Sequence, residues 1–309
     1  MRIAKNSSSG FAGYPAAGKL SGQPMPGSHR LPGSALTRIR QDKLALLGMV
    51  ILLTVMVIAL FAPFLAPDDP VKVNLAHSLS SPGAAFPLGA DHLGRCLLSR
   101  LIYGTRVSLA TAALALAAVL LISIPLGTLA GYCGGRVDNA IMRVVDVLLA
   151  FPDLILALVI AGTLGPGLLN VMLALAAVGW VGYARVIRGV VLSVKEKEFI
   201  LAARACGTSE LAIITRHILP NVLSPVVVLA TLDIGRLILA ISGLSFLGLG
   251  AQPPTPEWGT MLNDGRLYMQ VAPHLMIYPG LSIMIVVLAF NLLGDGLRDV
   301  LDPQGMAKQ

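Results

Sequence analysis

Lys195-Glu-Lys-Glu-Phe-Ile-Leu-Ala-Ala-Arg-Ala-Cys-Gly207-Thr-Ser-Glu-Leu-Ala-Ile-Ile-Thr-Arg-His-Ile-Leu-Pro220 is a charged insert between two long apolar runs, Leu168 to Val190 and Asn221 to about Gly243. Phe199, Ala202, Ala203 and Cys206 recur at helical spacing. Gly207 then offers a helix stop, because glycine takes the left-handed conformation without a Cβ penalty. Thr208 or Ser209 is placed to cap a second helix with apolar positions Leu211, Ile213, Ile214 and Ile218. Pro220 stands where the next apolar helix begins, a position that tolerates a missing N–H. The pattern is a helix–turn–helix with an apolar face, held between two membrane spans. Two uses fit it: a docking device for another protein, or a basic interfacial helix lying on lipid.

Outward from this insert the chain is a series of spans. Of 309 residues, 55% are hydrophobic and 13% charged, well short of the ~25% charged residues of soluble domains. Too little polar surface remains for a soluble body, and 32 Gly and 20 Pro without a period exclude a fibre. A helix needs about 20 residues to cross the hydrocarbon core. Six runs qualify: Leu44–Leu65, Val107–Gly131, Ile141–Gly162 with Pro152 inside, Leu168–Val190, Asn221–Gly243 and Met276–Leu297. The expected fold is therefore an all-α integral membrane protein. It divides into a basic tail (1–43), a first transmembrane helix (44–66), an external loop (67–106), a five-helix core (107–303) containing the insert (192–220), and a short tail (304–309).

An even number of spans puts both termini on one side. That side receives the tail with its seven basic residues, Arg136, the insert (Lys195, Lys197, Arg204, Arg216) and Arg298. Lys and Arg collect on the cytoplasmic side, so both termini are expected in the cytoplasm. The same rule accounts for the net charge of +7 without nucleic acid. The tail has no apolar core of a signal peptide. Gly13-Tyr-Pro-Ala-Ala-Gly18-Lys19 fits the start of a phosphate-binding loop, but Leu20 stands where Mg²⁺ needs Ser or Thr and no strand precedes it. No ATP site and no cofactor is expected in the chain. Cys96, Cys133 and Cys206 are odd in number and far apart, so no disulfide framework follows.

The insert resembles the Glu-Ala-Ala signature of ATP-binding-cassette importer permeases, in which Gly and then Leu-Pro follow at fixed gaps. Leu201-Ala202-Ala203 precedes Gly207 at the right interval, and Leu219-Pro220 closes the motif. Leu201 departs from the usual Glu, and Glu198 lies one turn earlier on about the same face. Leu88-Gly-Ala-Asp91-His-Leu-Gly94-Arg95-Cys-Leu-Leu-Ser99-Arg100 is similar to an external motif of the dipeptide/oligopeptide/nickel permeases, with Cys96 in place of Asp. Ser245 to Gly259 and Asn291 to Pro303 resemble the same family. The likeness covers about residues 42 to 303 and is to the second, C-type permease. It implies a type I importer fold, a heterodimer with a B-type permease, two cytoplasmic ATPases gripped through the insert, and an external substrate-binding protein. Glu198, Ala202, Ala203, Gly207, Leu219 and Pro220 are then the coupling-loop residues. Asp91, Gly94, Arg95, Ser99 and Arg100 form the external motif.

Ionisable residues inside spans are costly and mark candidate paths or gates. Asp146 and Asp153 fall in the third span; Asp233 and Arg236 fall in the fifth, one turn apart, so they can pair. Arg185 and Arg188, at the inner end of the fourth, are expected as snorkelling anchors. The histidines are His29, His77, His92, His217 and His274, none mid-span, and no metal site is expected. Cargo is nickel, carried as a chelate, or small peptides; Asp91–Arg95, Leu229–Gly235 and Asn263–Arg266 look closer to nickel-type members. A proton-coupled secondary transporter would call for a carboxylate relay and internal repeats. A membrane enzyme would call for a nucleophile with its base, or a metal motif. Neither pattern is found in the sequence.

Overall fold

The computed structural model describes residues 42 to 301, so the basic tail, its Gly13–Lys19 motif and the C-terminal tail lie outside the described residues. The described residues form helices and connecting loops. The helices used below are α1 (Lys43–Leu60), α2 (Leu97–Cys133), α3 (Gly135–Leu149), α4 (Asp153–Leu164), α5 (Leu168–Lys195), α6 (Glu198–Ala205), α7 (Glu210–Phe246), α8 (Trp258–Arg266) and α9 (His274–Leu301). Five of them are long and apolar enough to cross a membrane, and the bent pair α3–α4 meets the same measure only when the two are taken together, as one broken span or a re-entrant loop.

Local chemistry sets the helix ends. The Asp42 carboxylate accepts from the N–H groups of Leu44 and Ala45, capping α1. α1 is followed by one further turn, Ala62–Leu65. The second span begins at Leu97, ten residues before the start that hydropathy indicates, so the loop expected over 67–106 ends at Cys96 and not at residue 106. The reason is electrostatic: Arg95 and Arg100 look like loop charges but are neutralised by nearby Asp91 and by Asp264, distant in sequence. At 37 residues, α2 is about 55 Å long and overreaches the ~30 Å hydrocarbon core.

The third span is not continuous. α3 and α4 meet at 89° across the break at Ala150–Pro152. Pro152 has no N–H to donate and biases the residue before it away from helix. Asp153 then turns its own carboxylate onto the Leu154 N–H. The fifth span differs in the opposite sense. Its coupling-loop helix does not stop before Pro220 but runs into the span, with Ile214–Ile218 in π geometry. A proline cannot donate to the preceding turn, and a π-bulge with the Asn221 side chain donating to the His217 carbonyl (2.7 Å) absorbs the mismatch.

α5 is the central helix. Val171, Ala174, Val181, Ala184, Ile187 and Val191 are buried along its length. α2 packs against it through Gly127 and Gly131, four residues apart: a Cβ on Gly127 would come within 2.7 Å of the Ala184 carbonyl, and one on Gly131 within 2.7 Å of Val191. Small residues at this spacing let helix backbones approach closely, which is how spans associate without a hydrophobic drive between them. Gly48 performs the same role between α1 and Ala289 of α9. α7, α9 and α8 complete the body around α2 and α5.

Candidate functional site

The segment between α5 and the membrane-length part of α7 is built on a hydrogen-bonded turn. Gly207 has φ +78°; its N–H donates to the Arg204 carbonyl (2.9 Å) and Thr208 N–H donates to the Ala203 carbonyl (3.0 Å). Those two bonds are a complete Schellman stop. Ser209 caps the next helix by accepting from Ala212 N–H at 3.4 Å. The buried side of the loop is Ile200, Ile213 and Ile218, each fully inaccessible, with Ala203 packed on the same core. Phe199, Leu201, Ala202, Cys206 and Leu211 face outward, so three of the four stripe residues, Phe199, Ala202 and Cys206, lie on the exposed face. Ile200 is the inward anchor, and an apolar surface is left open. Glu198 is exposed at the start of α6, Leu219 is half-buried and Pro220 exposed.

At the N-terminal end of α2 the Asp91–Arg100 motif closes on itself. Asp91, 5% exposed, accepts from the N–H groups of Leu93 and Arg95 and from Arg95 Nε at 2.6 Å, with Arg100 Nε at 3.4 Å. Asp264 approaches the same two arginines at 3.7 and 3.9 Å. Arg100 also donates to the carbonyls of Pro70 and Pro254, and Ser99 Oγ accepts from Asp68 N–H. Gly94 has φ +72°, and a Cβ there would overlap the Asn74 carbonyl. Buried Glu257, which sequence alone did not single out, caps α8 through Gly259 and Thr260 N–H and accepts from Ser108 of α2 at 3.2 Å. An Asp-Arg-Arg-Asp set this well paired and buried joins α2 to α8.

In the membrane core, Arg236 joins two helices. It reaches Asp233 of its own helix at 3.0 Å and Asp153 of α4 at 3.2 Å. Asp146 lies apart from this group and pairs with Arg185 at 2.6 Å. Arg188 makes a two-pronged bond to Asp138 at 2.5 Å. Arg185 and Arg188 are thus held in ion pairs with α3 and are not free snorkelling anchors. Neither partner was visible from spacing, since 39 and 50 residues separate them. Tyr183, also missed, is buried beside Asp233 and the Asp153–Arg236 group.

A polytopic helical bundle with a rigid, outward-facing helical turn between its fourth and fifth crossings is the architecture of a transport permease. Residues 123–304 match the family described as binding-protein-dependent transport system inner membrane component, and residues 33–82 match the N-terminal transmembrane domain of oligopeptide transport permease C. The chain belongs to this family of inner-membrane importer permeases, in its dipeptide/oligopeptide/nickel C-type branch. It is 44% identical over 87% of its length to the dipeptide transport system permease protein DppC of Alkalihalophilus pseudofirmus, covering 89% of that protein. It is 46% identical to the nickel transport system permease protein NikC of Escherichia coli (83% and 93% covered). It is 45% identical to the glutathione transport system permease protein GsiD of Pectobacterium atrosepticum (86% and 88% covered). Inward-facing structures of the MetNI methionine ABC transporter share the fold with TM-scores of 0.50 and 0.52 at 22% and 19% identity, over 66% of this chain and 97% of theirs. The fold is the type I importer permease fold, and the chain is a permease subunit that works with ATPase and binding-protein partners.

Proposed function

We propose that the chain forms one half of a heterodimeric importer channel with a B-type permease, both its termini in the cytoplasm, and carries no ATP site of its own. Two ATPases seat against α6 and the Gly207 turn. An external binding protein delivers a small cargo, nickel as a chelate or a small peptide. The observation that supports this most is the coupling loop: Ile200, Ile213 and Ile218 anchor it while Phe199, Leu201 and Leu211 are left open on its far side. An apolar patch on a stiff support is a surface for a protein partner.

The path follows from where charge is exposed. Asp153 and Arg236 are 66% and 59% exposed in mid-span. Ionised groups at that depth turn to a water-filled path or another subunit, never to lipid. The Asp153–Arg236–Asp233 face therefore lines the cavity between the two permeases, where cargo crosses when the ATPases close and reopen. Asp146, paired with Arg185 nearer the inner end, contributes to the α3–α5 junction and its movement.

The test is reconstitution. Vesicles holding both permeases and both ATPases should accumulate cargo only with ATP on the ATPase side and binding protein on the other. Accumulation by this chain alone, driven by a proton gradient, would replace the importer with a secondary transporter.

A further inference from the structure

The backbone of α7 is weakest where the Gly207 segment runs into the fifth crossing. Pro220 and Pro225 have no N–H to donate, so the carbonyls four residues earlier, of Arg216 and Asn221, lose their α-helical partners. Ile214–Ile218 is in π geometry, and the Leu219 N–H reaches back five residues to the Ile214 carbonyl. Such one-turn bulges are rare and collect at functional sites. The phase of the buried side marks the same extra residue independently. Ile213 and Ile218 are both fully inaccessible and stand five apart, whereas buried Val222 and Val226 follow at steps of four. On a regular helix the step of four from Ile213 lands on His217, which is only half-buried. The bulge therefore gives one helix two footings, Ile213 on one side of it and the Ile218–Val222–Val226 row on the other.

One side-chain bond crosses the bulge. Asn221 Nδ2 donates to the His217 carbonyl at 2.7 Å, and the His217 ring lies 6.2 Å from the ring of Phe199 on α6. The segment before the bulge is fastened elsewhere, since Arg204 and Glu210 both bond to the Tyr132 hydroxyl of α2. Any movement of that segment against α7 is then taken up between Ile214 and Pro225. Building on the coupling role proposed above, we propose that Ile214–Pro225 is the joint at which the coupling segment bends against the fifth crossing as the ATPases close, with Asn221 as its positioning residue. The Asn221–His217 bond holds the joint at the angle seen here. Bending opens the helix where the Arg216 and Asn221 carbonyls already lack their N–H donors, so no helical bond to either has to break. An unbroken helix would move the segment and the crossing as one rod; the bulge lets them turn while they stay connected.

The experiment uses the assembled permease pair, its ATPases and its binding protein in vesicles. Asn221→Leu removes the donor and keeps the size. Asn221→Ser keeps a donor, because a serine hydroxyl reaches the carbonyl four residues back. Losing one hydrogen bond shifts an equilibrium about two- to tenfold. Cargo moved per ATP hydrolysed should fall by that factor in Asn221→Leu and stay near wild type in Asn221→Ser, with the heat stability of both little changed. Pro220→Ala with Pro225→Ala returns both N–H groups to the helix. That complex should be at least as stable to heat and yet carry cargo several-fold more slowly, which prolines kept only for packing would not produce. Hydrogen exchange reads the joint itself. Amides over 214–224 should exchange at rates that differ several-fold between the nucleotide-free state and ATP held unhydrolysed, while the buried stretch Ala174 to Ile187 of α5 does not change. Equal exchange over 214–224 in the two states, full transport by the alanine pair, or a serine variant as impaired as the leucine one overturns the joint and leaves the importer standing. Transport without the ATPases overturns the coupling role and the joint with it.

Discussion

The guanidinium of Arg204 lies over the ring of Tyr132, 5.6 Å from its centroid, and donates to the tyrosine hydroxyl at 3.2 Å. The same hydroxyl bonds to Glu210, and Arg204 pairs with Glu210 at 3.6 Å. Arg204 belongs to α6, Glu210 to α7 and Tyr132 to the inner end of α2. One residue earlier, the Gly131 carbonyl accepts from Lys195 Nζ at 2.9 Å. Both halves of this helical turn are thus clasped to α2, whose other end is fixed in the Asp91–Arg95–Arg100–Asp264 cluster.

If this clasp transmits motion, its loss should uncouple the importer without unfolding it. An exposed cation–π contact contributes about 0.5–1 kcal/mol and an exposed ion pair no more than about 1 kcal/mol. Arg204→Gln and Tyr132→Phe should therefore leave thermal stability in detergent nearly unchanged. Cargo moved per ATP hydrolysed should fall several-fold in Arg204→Gln. An unchanged ratio would remove the clasp from the transmission route.

Gly207 isolates the backbone of the turn. A Cβ there meets nothing within 4 Å, so a substitution is felt through φ alone. Left-handed backbone costs an ordinary L-residue about 1–2 kcal/mol, and a β-branched one is an outlier there. Gly207→Val should insert into the membrane at normal levels and fail to support uptake, while Gly207→Asn keeps most of it. Wild-type uptake by the valine variant would show that the turn's shape is not needed.

The two ends of the molecule should differ in their tolerance of charge removal. Asp91→Asn strips a counter-charge from Arg95 and Arg100, both buried. Breaking a buried pair in this way costs about 3–5 kcal/mol. Arg185→Gln breaks a pair whose side chains are both more than half exposed, worth about 0–1 kcal/mol before any membrane or partner covers it. Thermal unfolding of the purified complex should show a large drop for the first and a small one for the second. Equal drops would mean that the Arg185–Asp146 pair is buried in the assembled importer.

Much of this architecture was legible in the sequence, and what was hidden has a common cause. Apolar length located the five membrane-length helices, and Gly207 announced its turn, because both are local properties. The residues Asp233 and Arg236 paired as their one-turn spacing predicts. The early start of α2 was hidden because Arg100 reads as a loop charge until Asp264 is brought to it from 164 positions away. Pro152 signalled a disturbance in the third span but not a bend of 89°, which depends on how α4 packs on α5. Ile200 was passed over because it lies one position off the stripe of Phe199, Ala202 and Cys206, and only packing shows that it is the residue the core accepts. Tyr183 carried no signal at all: a single tyrosine in an apolar span acquires meaning only beside Asp233 in space.

Thiol labelling tests the orientation. Cys133, at the C-terminal end of α2, and Cys206, beside the Gly207 turn, are exposed, whereas Cys96 is 3% exposed and will be silent from either side. In intact cells a membrane-impermeant maleimide should miss both Cys133 and Cys206, and it should label them in inverted vesicles. Labelling of either in intact cells would reverse the topology.

Cys206 also provides the most direct test of the central claim, that this loop is where the ATPase drives the permease. A short photo-crosslinker attached to the native Cys206, with Cys133→Ser removing the other exposed thiol, should join the permease to an ATPase subunit in the purified importer. The yield should change when ATP is bound and held unhydrolysed. A crosslink confined to lipid or to the second permease, with the ATPases present and bound, would contradict the account.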